Sequence, residues 1–307
     1  MNGNTMRACC TQPLRFLTAI TAVLLLFAAC DDPSEESDTP VIPVLAMPGE
    51  ADIAYGPVND ANPFEHVGLR HNECVHAVIR AAQPWDTLSM PTMFSRIQKS
   101  IPDWGAASLD VPRDRGMMHV QTAFAMKIDS AARHQLSAFD AAGYSAREIG
   151  FLRRIGRTLC TVTTFPSLEA ELLVIEKDIL SETWPAGDST ETAARIAISV
   201  AKHSGAYWKR MFCVTAGVDP GAMMKTASLR KSTDLLIHLT TKAQIVTAAD
   251  VIAAVSAGEA SAIFGPLAQL QAAILSGGAV SIIVATLVYF EDIVGFLRSV
   301  CPWGDRK

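Results

Sequence analysis

The densest group of potentially reactive side chains lies between His71 and His76. His71 and Cys74 are three residues apart and would share one face of a helix, whereas His76 would lie off that face. Paired metal ligands on a helix favour a spacing of four residues, and zinc needs a third or fourth ligand that no second cluster supplies. We therefore predict no metal and no cofactor. We interpret His71 and Asn72 as capping or buried hydrogen-bonding groups at a helix start, and an enzyme site around His71 stays open as an alternative.

Other catalytic signatures are missing from the sequence. It contains neither G-x-S-x-G nor a glycine-rich phosphate loop that ends in Lys-Ser or Lys-Thr, and no strand context for a dinucleotide site. His203 falls on the apolar stripe of a predicted helix, so we expect a core histidine with satisfied hydrogen bonds. The net charge of −5 and the lack of a basic patch argue against nucleic acid as a partner.

Cys30 has a different chemistry because it directly follows an export signal. Arg7 and Arg15 precede an uncharged apolar run that ends in Ala28 and Ala29, which is the pattern of a secretory signal peptide over residues 1–29. The run is shorter than the roughly 20 residues that a bilayer span needs. With a cysteine at the cut, the segment resembles a bacterial lipoprotein signal. That resemblance implies a diacylglycerol on the Cys30 thiol and a membrane partner reached through this lipid.

Residues 30–65 form a predicted tether. Acidic residues and prolines recur in it, and no Lys or Arg occurs between Cys30 and Arg70. Such a composition buries too little apolar surface to offset its ordering entropy, so we expect a flexible acidic linker. In many bacteroidete lipoproteins acidic residues beside the lipidated cysteine mark export to the outer surface, whereas in enterobacteria an Asp there favours inner-membrane retention. We therefore predict a cell-envelope protein and leave its leaflet open.

Four cysteines follow the lipidation site, an even number that suggests two disulfides in an exported protein. If short-looped neighbouring helices run antiparallel, Cys160 and Cys213 fall at the same end of the bundle and are predicted to pair. Cys74 is then left to pair with Cys301. The alternative is that all four are buried thiols that behave as small hydrophobic residues.

Helical periodicity dominates from residue 66 to residue 307, which we predict to be one all-α domain of short-looped helices. We expect helices at about 114–142, 146–163, 167–183 and 190–213. Ser145 and Glu148 have the spacing of a capping box at the start of the second of these. In the third, Glu169, Glu176 and Lys177 are assigned to the solvent face.

The segment 249–300 differs in kind because it is rich in Gly and Ala and carries no charge between Ala260 and Phe290. Small residues at spacings of three and four allow close helix packing. We expect Gly265-Pro266 and Gly277-Gly278 to break the segment into pieces. We predict a buried helical hairpin at the centre of the bundle, with membrane insertion of residues 260–290 as the alternative.

Two segments resemble a loosely defined group of bacteroidete lipoproteins. The first is Gly68 to Asn72, with the pattern G-x-x-H-N, and the second is the Gly- and Ala-rich stretch from Asp250 to Ser281. The group has no assigned activity, and the resemblance implies only a surface-associated lipoprotein. From all these features we predict a non-enzymatic, lipid-anchored envelope protein for binding or structural work, with a protein partner. A toxin or pore former that uses residues 260–290 and an enzyme near His71 are the alternatives.

Overall fold

A computed structural model of the chain describes residues 53–81, 90–125, 145–184, 190–216 and 230–300. They contain α-helices, one 3₁₀ turn and connecting segments but no strand, which confirms the predicted all-α class. The helices are α1 (Glu65–Ala81), α2 (Met90–Ser108), α3 (Arg113–Ala125), α4 (Ala146–Thr161), α5 (Phe165–Ser181), α6 (Thr190–Thr215), α7 (Arg230–Ser261) and α8 (Pro266–Val300), with the 3₁₀ turn at Ala262–Phe264.

Local sequence signals account for α4 closely. The Ser145 hydroxyl accepts a hydrogen bond from the Glu148 N–H (3.3 Å), and the Glu148 carboxylate accepts one from the Ser145 N–H (3.2 Å). This reciprocal pair is the predicted capping box, which satisfies two amides at the helix start. Leu152, Ile155 and Leu159 are buried along one face, as their spacing predicts.

Helices α5 and α6 follow the predicted pattern and differ in burial. Pro166 lies in the first turn of α5, where a backbone N–H would have no acceptor within the helix, so its absence costs no hydrogen bond. Residues Leu168, Leu172 and Ile175 then bury one face of α5. Helix α6 is buried on most sides because α1, α4, α5 and α7 all pack against it, so it is the central helix of the fold.

Helices α7 and α8 pack against each other along the chain's C-terminal hairpin. Gly265 separates them with φ of 100°, a left-handed conformation that glycine adopts without strain, and Pro266 opens α8. The break predicted at Gly265-Pro266 is therefore confirmed. Helix α8 also contacts α1, α2 and α3, which places the hairpin against the middle of the bundle.

The predicted break at Gly277-Gly278 is wrong, because α8 runs through both residues without interruption. The two glycines instead allow α1 to approach α8. A Cβ on Gly277 would lie 3.1 Å from His71 Cδ2, and one on Gly278 would lie 3.0 Å from Cys74 Sγ. Packing of α1 outweighs the intrinsic helix penalty of about 1 kcal/mol for each glycine.

One helix in the described part of the chain is long and apolar enough to cross a bilayer, namely the portion of α8 from Pro266 to Thr286. Within its most apolar window, 89% of the residues are buried inside the protein. The segment is therefore surrounded by other helices, as the predicted buried hairpin requires.

Residues 53–64, which we call the strap, differ from the predicted flexible tether. The structure places them against the helices, with Gly56 and Asn62 buried, and α1 already begins at Glu65. The predicted helix at 114–142 corresponds to α3, which ends at Ala125, and residues 126–144 lie outside the described residues. The leader, Cys30 and tether residues 30–52 also lie outside them.

Candidate functional site

His71 and Asn72 lie well inside α1, which starts at Glu65, so of the two predicted roles the capping role is wrong and the role as buried hydrogen-bonding groups is confirmed. Both are fully buried hydrogen-bonding groups. The Asn72 side-chain amide donates to the carbonyl oxygens of Ala54 (2.9 Å) and His203 (2.8 Å), and its oxygen lies 3.2 Å from His71 Nδ1. Asn72 thereby ties the strap and α6 to α1.

His71 faces Asp250 of α7 at the centre of a buried group that we call the Asp250 cluster. His71 Nε2 lies 3.6 Å from Asp250 Oδ2, beyond hydrogen-bonding distance, and neither side chain is exposed. Asp250 Oδ2 accepts hydrogen bonds from the hydroxyls of Ser204 (2.5 Å) and Ser281 (2.8 Å). Trp208 Nε1 in turn donates to Ser281 Oγ at 2.8 Å. The cluster joins α1, α6, α7 and α8.

Burial makes both titratable members of this cluster neutral near pH 7. It raises the pKa of Asp250 to about 8, against the opposing effect of the hydrogen bonds from Ser204 and Ser281. It lowers the pKa of His71 to about 4. Asp250 Oδ1 and His71 Nε2 have no hydrogen-bond partner among the described residues. A neutral acid and a neutral imidazole therefore lie side by side in the core.

A second buried group, which we call the Lys202 cluster, is built from charges in α1, α5 and α6. Lys202 Nζ lies 2.9 Å from Glu65 Oε1 and 2.7 Å from Glu176 Oε1, and all three side chains are at most 7% exposed. Asn62 donates to Glu176 Oε1 at 3.4 Å and to the Arg195 carbonyl at 3.3 Å. The assignment of Glu176 to the solvent face is therefore wrong, because a buried ammonium attracts it inward.

His203 completes the Lys202 cluster and fixes its own tautomer. Its Nδ1 accepts the backbone N–H of Gly56 at 3.1 Å, so its proton is on Nε2, which donates to Glu65 Oε1 at 2.9 Å. The expected satisfied core histidine is thus confirmed. Burial raises the pKa of Glu65, but hydrogen bonds from His203 and Lys202 outweigh this effect and hold that pKa below its ordinary value.

The strap is bound to the Lys202 cluster through its backbone. Lys202 Nζ donates to the Pro57 carbonyl at 3.0 Å, and the Asn59 N–H donates to Glu65 Oε1 at 3.0 Å. A Cβ on Gly56 would lie 2.7 Å from the Lys202 carbonyl oxygen, so only glycine fits where the strap crosses α6. These contacts hold residues 56–59 of the strap against the central helix.

A groove of about 190 Å³ opens beside the strap. It lies between α5 and α6, and neither His71 nor Asp250 lines it. The lining residues come from the strap (Ala54, Tyr55, Gly56, Pro57), from α5 (Phe165, Leu168, Glu169, Leu172) and from α6 (Lys202, Gly205, Ala206, Lys209, Arg210).

A second groove, of about 280 Å³, lies where α3 meets the turn between α7 and α8. Met118 and Phe264, which line it, are 50% and 66% exposed. His119 also lines it, and burial together with the nearby Arg115 lowers the pKa of this histidine. Within the described part of the chain, no group of three or more His, Cys, Asp or Glu residues is arranged to hold a metal ion.

The cysteines are present as thiols where the structure describes them. The predicted Cys160–Cys213 disulfide is not formed, because Cys160 faces solvent from α4 while Cys213 points into the core from α6. Cys74 is buried beside Gly278, and burial raises the pKa of its thiol. Its predicted partner, Cys301, lies outside the described residues.

The sequence predicts buried positions for His71, Asn72 and His203 but not the carboxylates and the ammonium that surround them. One signal was available for Asp250, which is the only charged residue between Lys242 and Glu259. A lone carboxylate in an apolar helix predicts a buried hydrogen-bonding role. The two segments of the bacteroidete resemblance meet here, since His71 and Cys74 pack on Gly277 and Gly278. The chain matches no protein-family model, no curated protein and no solved structure.

Proposed function

We propose that this protein is a lipid-anchored binding or structural module of the bacterial cell envelope, attached to the membrane through Cys30. The export signal, the cysteine directly after it and the acidic residues that follow support the proposal. The strap supports it too, because the Gly56 and Asn59 N–H groups donate to the Lys202 cluster and the Pro57 carbonyl accepts from it, which holds this segment against the helical domain.

The burial of residues 266–286 is the observation that favours this proposal over membrane insertion. Within the apolar window of that segment 89% of the residues are buried, so folding already removes this apolar surface from water. Insertion into a bilayer would have to separate α8 from α1 and α7 and expose Asp250, Ser281 and their hydrogen bonds to lipid.

The geometry around His71 also favours a binding or structural role over catalysis at that position. His71, Asn72 and Asp250 are completely buried, and neither of the two grooves described above reaches them. A catalytic acid or base has to come within hydrogen-bonding distance of its substrate. Their hydrogen bonds instead connect four helices and the strap.

Acyl labelling tests the anchor directly. Cells that express the full chain are given labelled palmitate, with and without globomycin, which blocks lipoprotein signal peptidase. We expect label on the wild-type protein and none on Cys30→Ala, because only a thiol at the cut can take the lipid. The matched control is Cys10→Ala, which removes a leader cysteine and should label like the wild type. Equal labelling of Cys30→Ala would refute the proposal.

A further inference from the structure

The groove beside the strap exists because two small residues face it from α6. Lys202, Gly205, Ala206 and Lys209 lie at positions i, i+3, i+4 and i+7, so they form one face of α6. Phe165, Leu168, Glu169 and Leu172 repeat the same spacings on α5. Gly205 and Ala206 are too small to fill the seam between these faces, and the strap covers only one side of it.

The floor of the groove is apolar and its charges are unevenly distributed. Leu168 and Leu172 supply aliphatic surface from α5. At one end, the ammonium of Lys202 is already neutralised by Glu65 and Glu176. Further along α6, Lys209 and Arg210 both line the groove, whereas Glu169 is exposed at its α5 edge. Lys209 therefore supplies positive charge at this end of the groove.

Lys209 is the side chain best placed to hold an anion. It is half-buried, and its Nζ lies 5.3 Å from the centre of the Phe165 ring. Among the described residues its ammonium forms neither an ion pair nor a hydrogen bond. A partly desolvated cation attracts an anion more strongly than one in bulk water, because the effective dielectric constant is lower.

We infer that this groove binds small monocarboxylates with a short apolar chain. The carboxylate is held by Lys209 beside Arg210, and the chain lies along Leu168, Leu172 and Ala206. The volume of about 190 Å³ suits a molecule of this size and excludes a full-length acyl lipid. The inference rests on the binding role in the proposed function, but it does not depend on the lipid at Cys30.

Titration with hexanoate tests the site on the full mature chain, purified in detergent micelles and followed by calorimetry. Hexanamide is the matched neutral probe, since it has the same shape without the charge. We expect saturable hexanoate binding and weaker hexanamide binding. Lys209→Ala should weaken hexanoate binding by about tenfold or more, because a charged hydrogen bond is lost. Lys177→Ala, an exposed lysine on α5, is the control and should leave binding unchanged.

A second pair of variants tests the apolar floor. Ala206→Leu should abolish hexanoate binding by filling the groove, whereas Ala170→Leu, at an exposed position of α5 outside the groove, should have no effect. Circular dichroism confirms that each variant is folded. Absence of saturable binding to the wild type, or equal binding by wild type and Lys209→Ala, would overturn the inference. Either outcome is distinct from failure of acyl labelling at Cys30, which bears only on the anchor.

Discussion

Asp250 and Lys202 show two ways in which this protein accommodates a charged residue in its core. Lys202 lies between the carboxylates of Glu65 and Glu176, so its charge is compensated within hydrogen-bonding distance. Asp250 has no such countercharge, because its neighbours are hydroxyl groups and a neutral histidine. Its burial therefore raises its pKa instead of drawing in a partner.

This difference predicts how stability depends on pH. In the folded protein Asp250 holds its proton up to about pH 8, and His71 stays neutral down to about pH 4. Between about pH 4 and 6.5 the two side chains bind one proton in both states, on Asp250 in the folded protein and on the histidine in the unfolded chain. Over this range they therefore do not change the free energy of unfolding with pH. Above pH 6.5 the unfolded chain holds none, and the free energy of unfolding should fall by about 2 kcal/mol up to pH 8.

Urea denaturation of Asp250→Asn at several pH values measures this contribution. The amide does not titrate, so the fall in the free energy of unfolding between pH 6.5 and 8 should disappear. The control is Asp178→Asn, which neutralises a half-exposed carboxylate paired with Arg154 and should keep the fall. If Asp250→Asn and the wild type lose stability in parallel over this range, then Asp250 does not hold a proton in the folded protein.

At the scale of helices, glycines set the distances between α1 and its neighbours. A Cβ on Gly68 would lie 2.5 Å from the Ser199 carbonyl oxygen and 2.6 Å from His203 Cδ2. The Gly68 N–H donates to Ser199 Oγ at 3.1 Å, and this hydroxyl donates to the Glu65 carbonyl at 3.0 Å. The close contact between α1 and α6 therefore depends on the absence of a side chain at position 68.

Gly68→Ala should destabilise the fold by about 1–3 kcal/mol, because its methyl group would meet backbone atoms that cannot move independently of α6. Gly150→Ala is the matched control, since a Cβ there would meet nothing within 4 Å. It should stabilise α4 by up to about 1 kcal/mol through helix propensity alone. Thermal unfolding of the two variants measures both changes. A Gly68→Ala protein as stable as the wild type would show that α1 does not pack this closely.

The elements differ in how well the sequence predicts them. The capping box at Ser145, the apolar spacing of α5 and the turn at Gly265-Pro266 are local signals, and each was predicted correctly. The local sequence at Gly277 and Gly278 also predicts a helix break, but contacts with His71 and Cys74 decide the conformation of these glycines. Several partners in the Lys202 cluster are more than 100 residues apart, as Glu65 and Lys202 show with a separation of 137. No local pattern contains such a pairing.

For the whole molecule, the central claim is that lipid alone attaches it to the membrane and that α8 is part of the protein core. Length and composition leave both roles open for residues 266–286, because a core helix and a membrane span can be equally apolar. Burial of the segment against α1 and α7 favours the core. On this account, removal of the lipid should release the entire domain from the membrane.

Membrane fractionation at alkaline pH tests that claim most directly. The mature chain from residue 30 onward is produced with Cys30→Ala and without its leader. Membranes from cells that express this variant are washed with alkaline carbonate, in parallel with membranes from cells that express the lipidated wild type. We predict that the wild type stays in the membrane pellet and that the variant is recovered folded in the supernatant. Retention of the variant in washed membranes would contradict the account, because residues 266–286 would then insert into the bilayer.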